Sequence, residues 1–126
     1  MTEDDWTRIT PWLDKSLECG GKTHTVEDVR KMHAEAKCQV WLGENCAIVT
    51  EFNWTRMPSL HIWLVAAEPN TGGLAEALEI YRHGLLPMAK GMNLKRITGT
   101  GRKGWGPTMK DDDWEPVMTI FAKELT

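Results

Sequence analysis

Residues 60–92, LHIWLVAAEPNTGGLAEALEIYRHGLLPMAKGM, constrain the fold more than any other stretch of the chain. The opening LHIWLVAA is an apolar run, too short for a helix and rich in β-branched and aromatic side chains. It predicts a buried central strand. A turn follows at Glu68-Pro69-Asn70-Thr71-Gly72-Gly73, where proline stops the ladder and two glycines permit dihedrals closed to other residues. Leu74, Ala77, Leu78, Tyr81, Leu85, Met88 and Met92 then recur at helical spacing and form one stripe. Pro87 is expected to kink that helix or to end its regular part near Leu86. A strand, a glycine turn and a helix in this order can aim backbone N–H groups at a phosphate.

With 126 residues, the chain is expected to be a single domain spanning 1–126, large enough for a core without staples. Its net charge of −3 argues against a protein that coats nucleic acid, so nucleic acid is not expected as the main partner. It has no run of 18 apolar residues, and its start, MTEDD, is acidic and polar; neither a membrane span nor a signal peptide is expected. Cys19, Cys38 and Cys46 form no CxxC pair and leave an odd count, as suits a reduced, cytosolic setting with thiols packed as small hydrophobes. Cys38 and Cys46 flank a predicted hairpin and would pair only in an oxidising compartment. The cysteines and the four histidines show no metal-ligand spacing, so no metal site is expected. The seven tryptophans are expected mostly in the core, with any exposed one a candidate interface anchor.

Thr10-Pro11 reads as a helix start, with Trp12, Leu13 and Leu17 on its buried face and Gly20-Gly21 as its end. Thr25 and Asp28 resemble a capping box ahead of Val26, Val29, Met32 and Ala36. From Cys38 the period changes to two: residues 39–42 and 46–52 flank Gly43-Glu44-Asn45, which predicts a hairpin whose glycine and asparagine are available for positive φ. Residues 93–98 read as a strand parallel to the central one, because right-handed crossover lays it there. Pro107 can start a short helix before Asp111-Asp112-Asp113, and residues 116–125, PVMTIFAKEL, alternate as a last strand.

The resulting order, α-α-β-β-β-α-β-α-β, resembles the Gcn5-related N-acetyltransferase (GNAT) fold, an α+β class with a mixed central sheet flanked by helices. The tail, GRKGWGPTMKDDDWEPVMTIFAKEL, looks most like short GNAT-like proteins encoded by tailed bacteriophages. That resemblance implies a structural or assembly component of a phage particle, with other phage structural proteins as partners. It would sit in the host cytoplasm during assembly or in the virion, and would require no cofactor. The alternative it implies is an acetyl-CoA-dependent N-acyltransferase acting on a small amine or a protein amine.

In active members of the superfamily, amides of the turn after the central strand hold the pyrophosphate of acetyl-CoA. The matching positions here are Asn70, Thr71, Gly72, Gly73 and Leu74, with Thr71 as a possible cap. The basic residue of the family's turn is absent, Glu68 is acidic, and Pro69 removes one donor. Where the family often places a proton-donating tyrosine, this chain has Met109, and the only tyrosine, Tyr81, lies on the apolar stripe. Glu51 and His61 are the candidates for a general base, each with an ordinary structural role as its competitor. Arg102, Lys103 and Trp105, in a glycine-rich loop, are the candidate partner-binding residues; they would grip a 3′-phosphate, a nucleic-acid backbone or an acidic protein.

Overall fold

The computed structural model describes residues 1–100, 113–117 and 120–125. Helices α1 (Glu3–Cys19) and α2 (Val26–Ala34) lead into strands β1 (Gln39–Leu42), β2 (Cys46–Asn53) and β3 (Ser59–Ala67). A helical path then runs through α3 (Gly73–Ile80), a π segment (Tyr81–Leu85) and α4 (Leu86–Gly91) to β4 (Arg96–Gly99). The sheet order is β1-β2-β3-β4, with β1, β2 and β3 antiparallel and β4 parallel to β3.

The first helix starts eight residues before the expected Thr10 cap. Thr2 and Asp5 form a reciprocal capping box, and Glu3, Asp4 and Asp5 place negative charge where the helix dipole favours it. Pro11 lies inside the helix on its exposed face, and Thr10 Oγ donates to Trp6 O at 2.6 Å. The stripe Trp6, Ile9, Leu13 and Leu17 is buried and holds the helix through the proline. At α2 the Thr25–Asp28 box forms as its spacing predicts.

Three helix ends close through a left-handed residue. Lys22 N–H reaches Leu17 O after α1, Lys37 N–H reaches Met32 O after α2, and Leu94 N–H reaches Ala89 O after α4. Ala36 (φ 58°) and Asn93 (φ 58°) take the left-handed position, so neither extends its neighbouring element and β4 begins at Arg96 instead of residue 93. In the β1–β2 turn, neither Gly43 nor Asn45 takes a positive φ. Pro87 falls in the first turn of α4, just after the π segment, where Leu86 N–H bonds back to Tyr81 O. The wider turn absorbs the ring, and the helical path continues to Gly91 rather than ending near Leu86.

Two cores flank the sheet. On one face α1 and α2 pack Trp6, Ile9, Leu13, Leu17, Val26 and Val29 onto Ala47, Val49, Leu64 and Ala66. On the other, Ala77, Leu85 and Ala89 cover Cys46, Ile48 and Leu60. Cys38 lies in the first core and Cys46 in the second, so no bridge joins them and each thiol is free. Burial pushes Cys38 up to about 11, and burial together with the Glu76 carboxylate pushes Cys46 up to about 12.

One sequence expectation changes at the C-terminal end. Among the described residues of 113–125 there is no strand. Trp114 packs against Tyr81 at 5.8 Å between ring centroids, and Val117, Ile120, Phe121 and Leu125 stay exposed. Alternation makes a segment able to pair but supplies no partner strand. The proposed short helix at 107–109 lies outside the described residues.

Candidate functional site

β4 pairs with only the first half of β3. Their register runs from Ser59↔Arg96 to Ile62↔Gly99, and Thr100 N–H adds a last bond to Ile62 O at 3.2 Å. From Trp63 to the end of β3, no described strand lines that edge. A β-bulge sits at the same point. Val49 faces Leu64 and Thr50 faces Ile62, so Trp63 is the extra residue on β3. The phase of side chains inverts across it: Ile62 packs into the α3–α4 core, whereas Trp63 and Leu64 both pack into the α1–α2 core. A cleft lies beside this point, on the α1 side of β3. Its volume is about 290 Å³; residues from the α1 end (Ser16, Leu17, Cys19, Gly20, Thr23), Trp63 to Val65 from β3, Thr100 and, from the C-terminal segment, Ile120 line it. Trp63 does not fill the gap; its indole forms part of the wall, edge-on to His24 with 4.9 Å between ring centroids.

Where β3 ends, the turn delivers the start of α3. Asn70 (φ 61°) and Gly72 (φ 76°) take left-handed backbones, and Gly72 is the N-cap with no side-chain cap bond. Thr71 is therefore not the cap; its hydroxyl donates to Glu68 O at 2.7 Å and closes the turn. The first intrahelical bond runs from Glu76 N–H to Gly72 O, which leaves the amides of Gly73, Leu74 and Ala75 without a partner inside the helix. Gly73 is buried: a Cβ there would lie 2.3 Å from Asn45 O and 2.9 Å from the Ala67 Cβ. Leu74 instead presents its side chain to solvent, 60% exposed. The backbone of this turn thus approaches the β1–β2 turn and the end of β3 as closely as atoms allow, and helix-start amides of this kind can receive an anion.

Glu68 does not crowd that end. Its carboxylate accepts a hydrogen bond from Trp12 Nε1 on α1, a tether that no spacing in the sequence announces. Glu76 works from the other side of the helix start. Its two carboxylate oxygens accept from Glu44 N–H and Asn45 N–H, each at 2.8 Å, clamping the β1–β2 turn to α3. Those bonds hold the Glu76 carboxyl below the usual range. A depressed carboxylate contributes stability that is present above its unfolded value of 4.5 and is lost as pH falls through the folded value. Glu76→Gln is therefore expected to lower Tm at pH 7 and to flatten the acid-side fall of Tm below pH 4.5. A pH series of melting curves that stays parallel to wild type would contradict this.

The two base candidates are neighbours with different access. Glu51 and His61 face each other across β2 and β3. His61 pairs Nδ1 with Thr98 Oγ at 2.7 Å and Nε2 with Thr100 Oγ at 3.2 Å. Burial lowers its pKa below 6.5, and the Glu51 charge opposes that shift. The ring is therefore mostly neutral at pH 7 and retains one nitrogen able to accept a proton. Thr100 also lines the cleft, so His61 reaches it through a hydroxyl, while Glu51 sits behind on the β2 side. Sequence reading missed Thr98 and Thr100, since two threonines around a glycine carry no chemical signature until the register sets them beside His61. Arg102, Lys103 and Trp105 lie outside the described residues. Tyr81 is on the opposite face, in the α3–α4 core.

No protein-family model and no curated protein matches the sequence. Solved structures do match the fold. A tetramutant of the BH1408 protein from Bacillus halodurans superposes with a TM-score of 0.72 at 10% identity, covering 99% of this chain and 97% of that one. A predicted acetyltransferase from Clostridium acetobutylicum, solved with acetyl-CoA, gives 0.69 at 15% identity over 98% of this chain and 92% of that one. The aminoglycoside N-acetyltransferase AAC(6')-Iy, in complex with CoA, gives 0.64 at 8% identity over 98% and 91%. The chain has the GNAT fold, a mixed four-stranded sheet flanked by helices. Among its described residues, no helix is long and apolar enough to cross a membrane.

Proposed function

We propose that the chain is an acetyl-CoA-dependent N-acyltransferase. The observation that carries this reading is the α3 start without a side-chain cap at the end of β3, together with a cleft beside Thr100. The CoA-bound structures of the same fold support it. Residues fit the group in part. The amides of Gly73, Leu74 and Ala75 would receive the diphosphate, with Gly72 shaping the approach, and Glu68 is drawn off to Trp12. Charge neutralisation by a basic side chain of the turn is absent from residues 68–75.

Acetyl-CoA, when bound, supplies an acyl carbon activated as a thioester. The chain's own residues handle the proton. With acetyl-CoA held there, the thioester would supply the acyl group and its sulfur would leave as a thiolate protonated from solvent, while Thr100 Oγ would take the amine proton and pass its own to His61 Nε2. Thr98 fixes the ring through Nδ1, and the Glu51 charge favours the imidazolium that forms.

A second reading, a structural or assembly component, draws on a different observation. Ile120, Phe121 and Leu125 are 82%, 90% and 89% exposed, and Trp54, stacked on Phe52, is also exposed. Calorimetric titration with acetyl-CoA separates the two. The enzyme reading expects a Kd tighter than about 100 μM, roughly −5.5 kcal/mol. Absence of heat or saturation at millimolar acetyl-CoA would leave the assembly reading standing alone.

A further inference from the structure

We infer that the acyl acceptor is a compact amine on an apolar or aromatic body, recognised by Trp63, and not a polycation; this rests on the acyltransfer reading above. Space sets the first limit. The cleft holds about 290 Å³, at the lower edge of the ~300–1,000 Å³ typical of small-molecule pockets. Chemistry sets the second. Leu17, Leu64 and the Trp63 indole supply an apolar wall, and the hydroxyls of Ser16, Thr23 and Thr100 supply the polar contacts.

The bulge makes this wall. Without the extra residue, Trp63 and Leu64 would point to opposite faces of β3; with it, both turn to the α1–α2 side, where the cleft lies. His24, held by Thr23 Oγ at 2.8 Å from its Nδ1, packs T-shaped against the indole and fixes its orientation. An aromatic or aliphatic body stacks on such a face with little ordering cost, and one amine can lie at Thr100. Each additional ammonium group of a polyamine would lose hydration against this wall. The described lining residues hold no carboxylate to compensate it.

The test measures thiol release from acetyl-CoA with 2-phenylethylamine, tryptamine, spermidine and kanamycin, alongside calorimetric binding of acetyl-CoA. The aryl amines are expected to exceed the polycations in kcat/KM by roughly tenfold or more. Trp63→Ala should remove most of that preference. Thr23→Asp, which adds a carboxylate to the lining, should shift it toward spermidine. If acetyl-CoA binds and the polycations are the better acceptors, or if neither variant moves the preference, the acceptor inference is overturned and the acyltransfer reading survives. If acetyl-CoA does not bind, the acyltransfer reading fails and takes this inference with it.

Discussion

Gly73→Ala is expected to be the most damaging glycine-to-alanine change among the described glycines. Its Cβ would come within 2.3 Å of Asn45 O, which is backbone and which the Glu76 clamp prevents from yielding. Overpacking of this kind costs about 1–3 kcal/mol. Alanine's better helix propensity recovers less than ~1 kcal/mol of that. A net loss near 2 kcal/mol corresponds to a fall in Tm of roughly 6–10 °C for a domain of this size. Because α3 must back away from the β1–β2 turn, its first amides move too, and on the acyltransfer reading acetyl-CoA affinity should drop at least roughly tenfold, ~1.4 kcal/mol. Gly72→Ala is the control. Nothing lies within 4 Å of its added Cβ, so only the left-handed backbone opposes it, at about 1 kcal/mol. Melting curves in which Gly72→Ala is the worse of the two would refute the close-approach account.

His61→Gln is expected to lower kcat/KM by about 10²–10⁴-fold, the usual contribution of a positioned base. Glutamine preserves hydrogen bonding to the threonine hydroxyls, so Tm at pH 8 should change little. The pH profile distinguishes a base from a structural residue. Burial depresses the His61 pKa, so the acid limb of kcat/KM lies below pH 6.5 and the active form is the one present above it. The same shift makes stability complete above pH 6.5 and lets it decline as pH falls through the folded value. The variant should lose the acid limb and that part of the stability decline. Thr100→Val, which cuts the link to the cleft, should reproduce the rate loss and leave the stability decline. An unchanged acid limb in His61→Gln would remove histidine from the mechanism.

Much of the fold follows from local patterns. The apolar run before Pro69, the hairpin around Gly43, the Thr25–Asp28 box and the parallel return of β4 can each be read from a few neighbouring residues. Misreadings arose where two local signals competed. Thr10-Pro11 has the form of a helix start, but Thr2 and the apolar stripe through Leu17 prevail, because burial of four large side chains outweighs one missing bond at Pro11. Asn93 reads as the edge of a strand and is instead the left-handed closure of α4.

Residue types and spacing alone determine the strand–turn–helix of 60–92, its two glycines and the candidacy of His61. Tertiary structure decides whether those parts form a site. The bulge at Trp63 depends on how β2 aligns with β3, the removal of Glu68 depends on an indole 56 residues away, and the path from His61 to the cleft depends on β4 register. None of these is local, since each is set by which elements bury their apolar faces against one another. The acidic residue that the sequence places in the turn is tied by its carboxylate to an indole of α1.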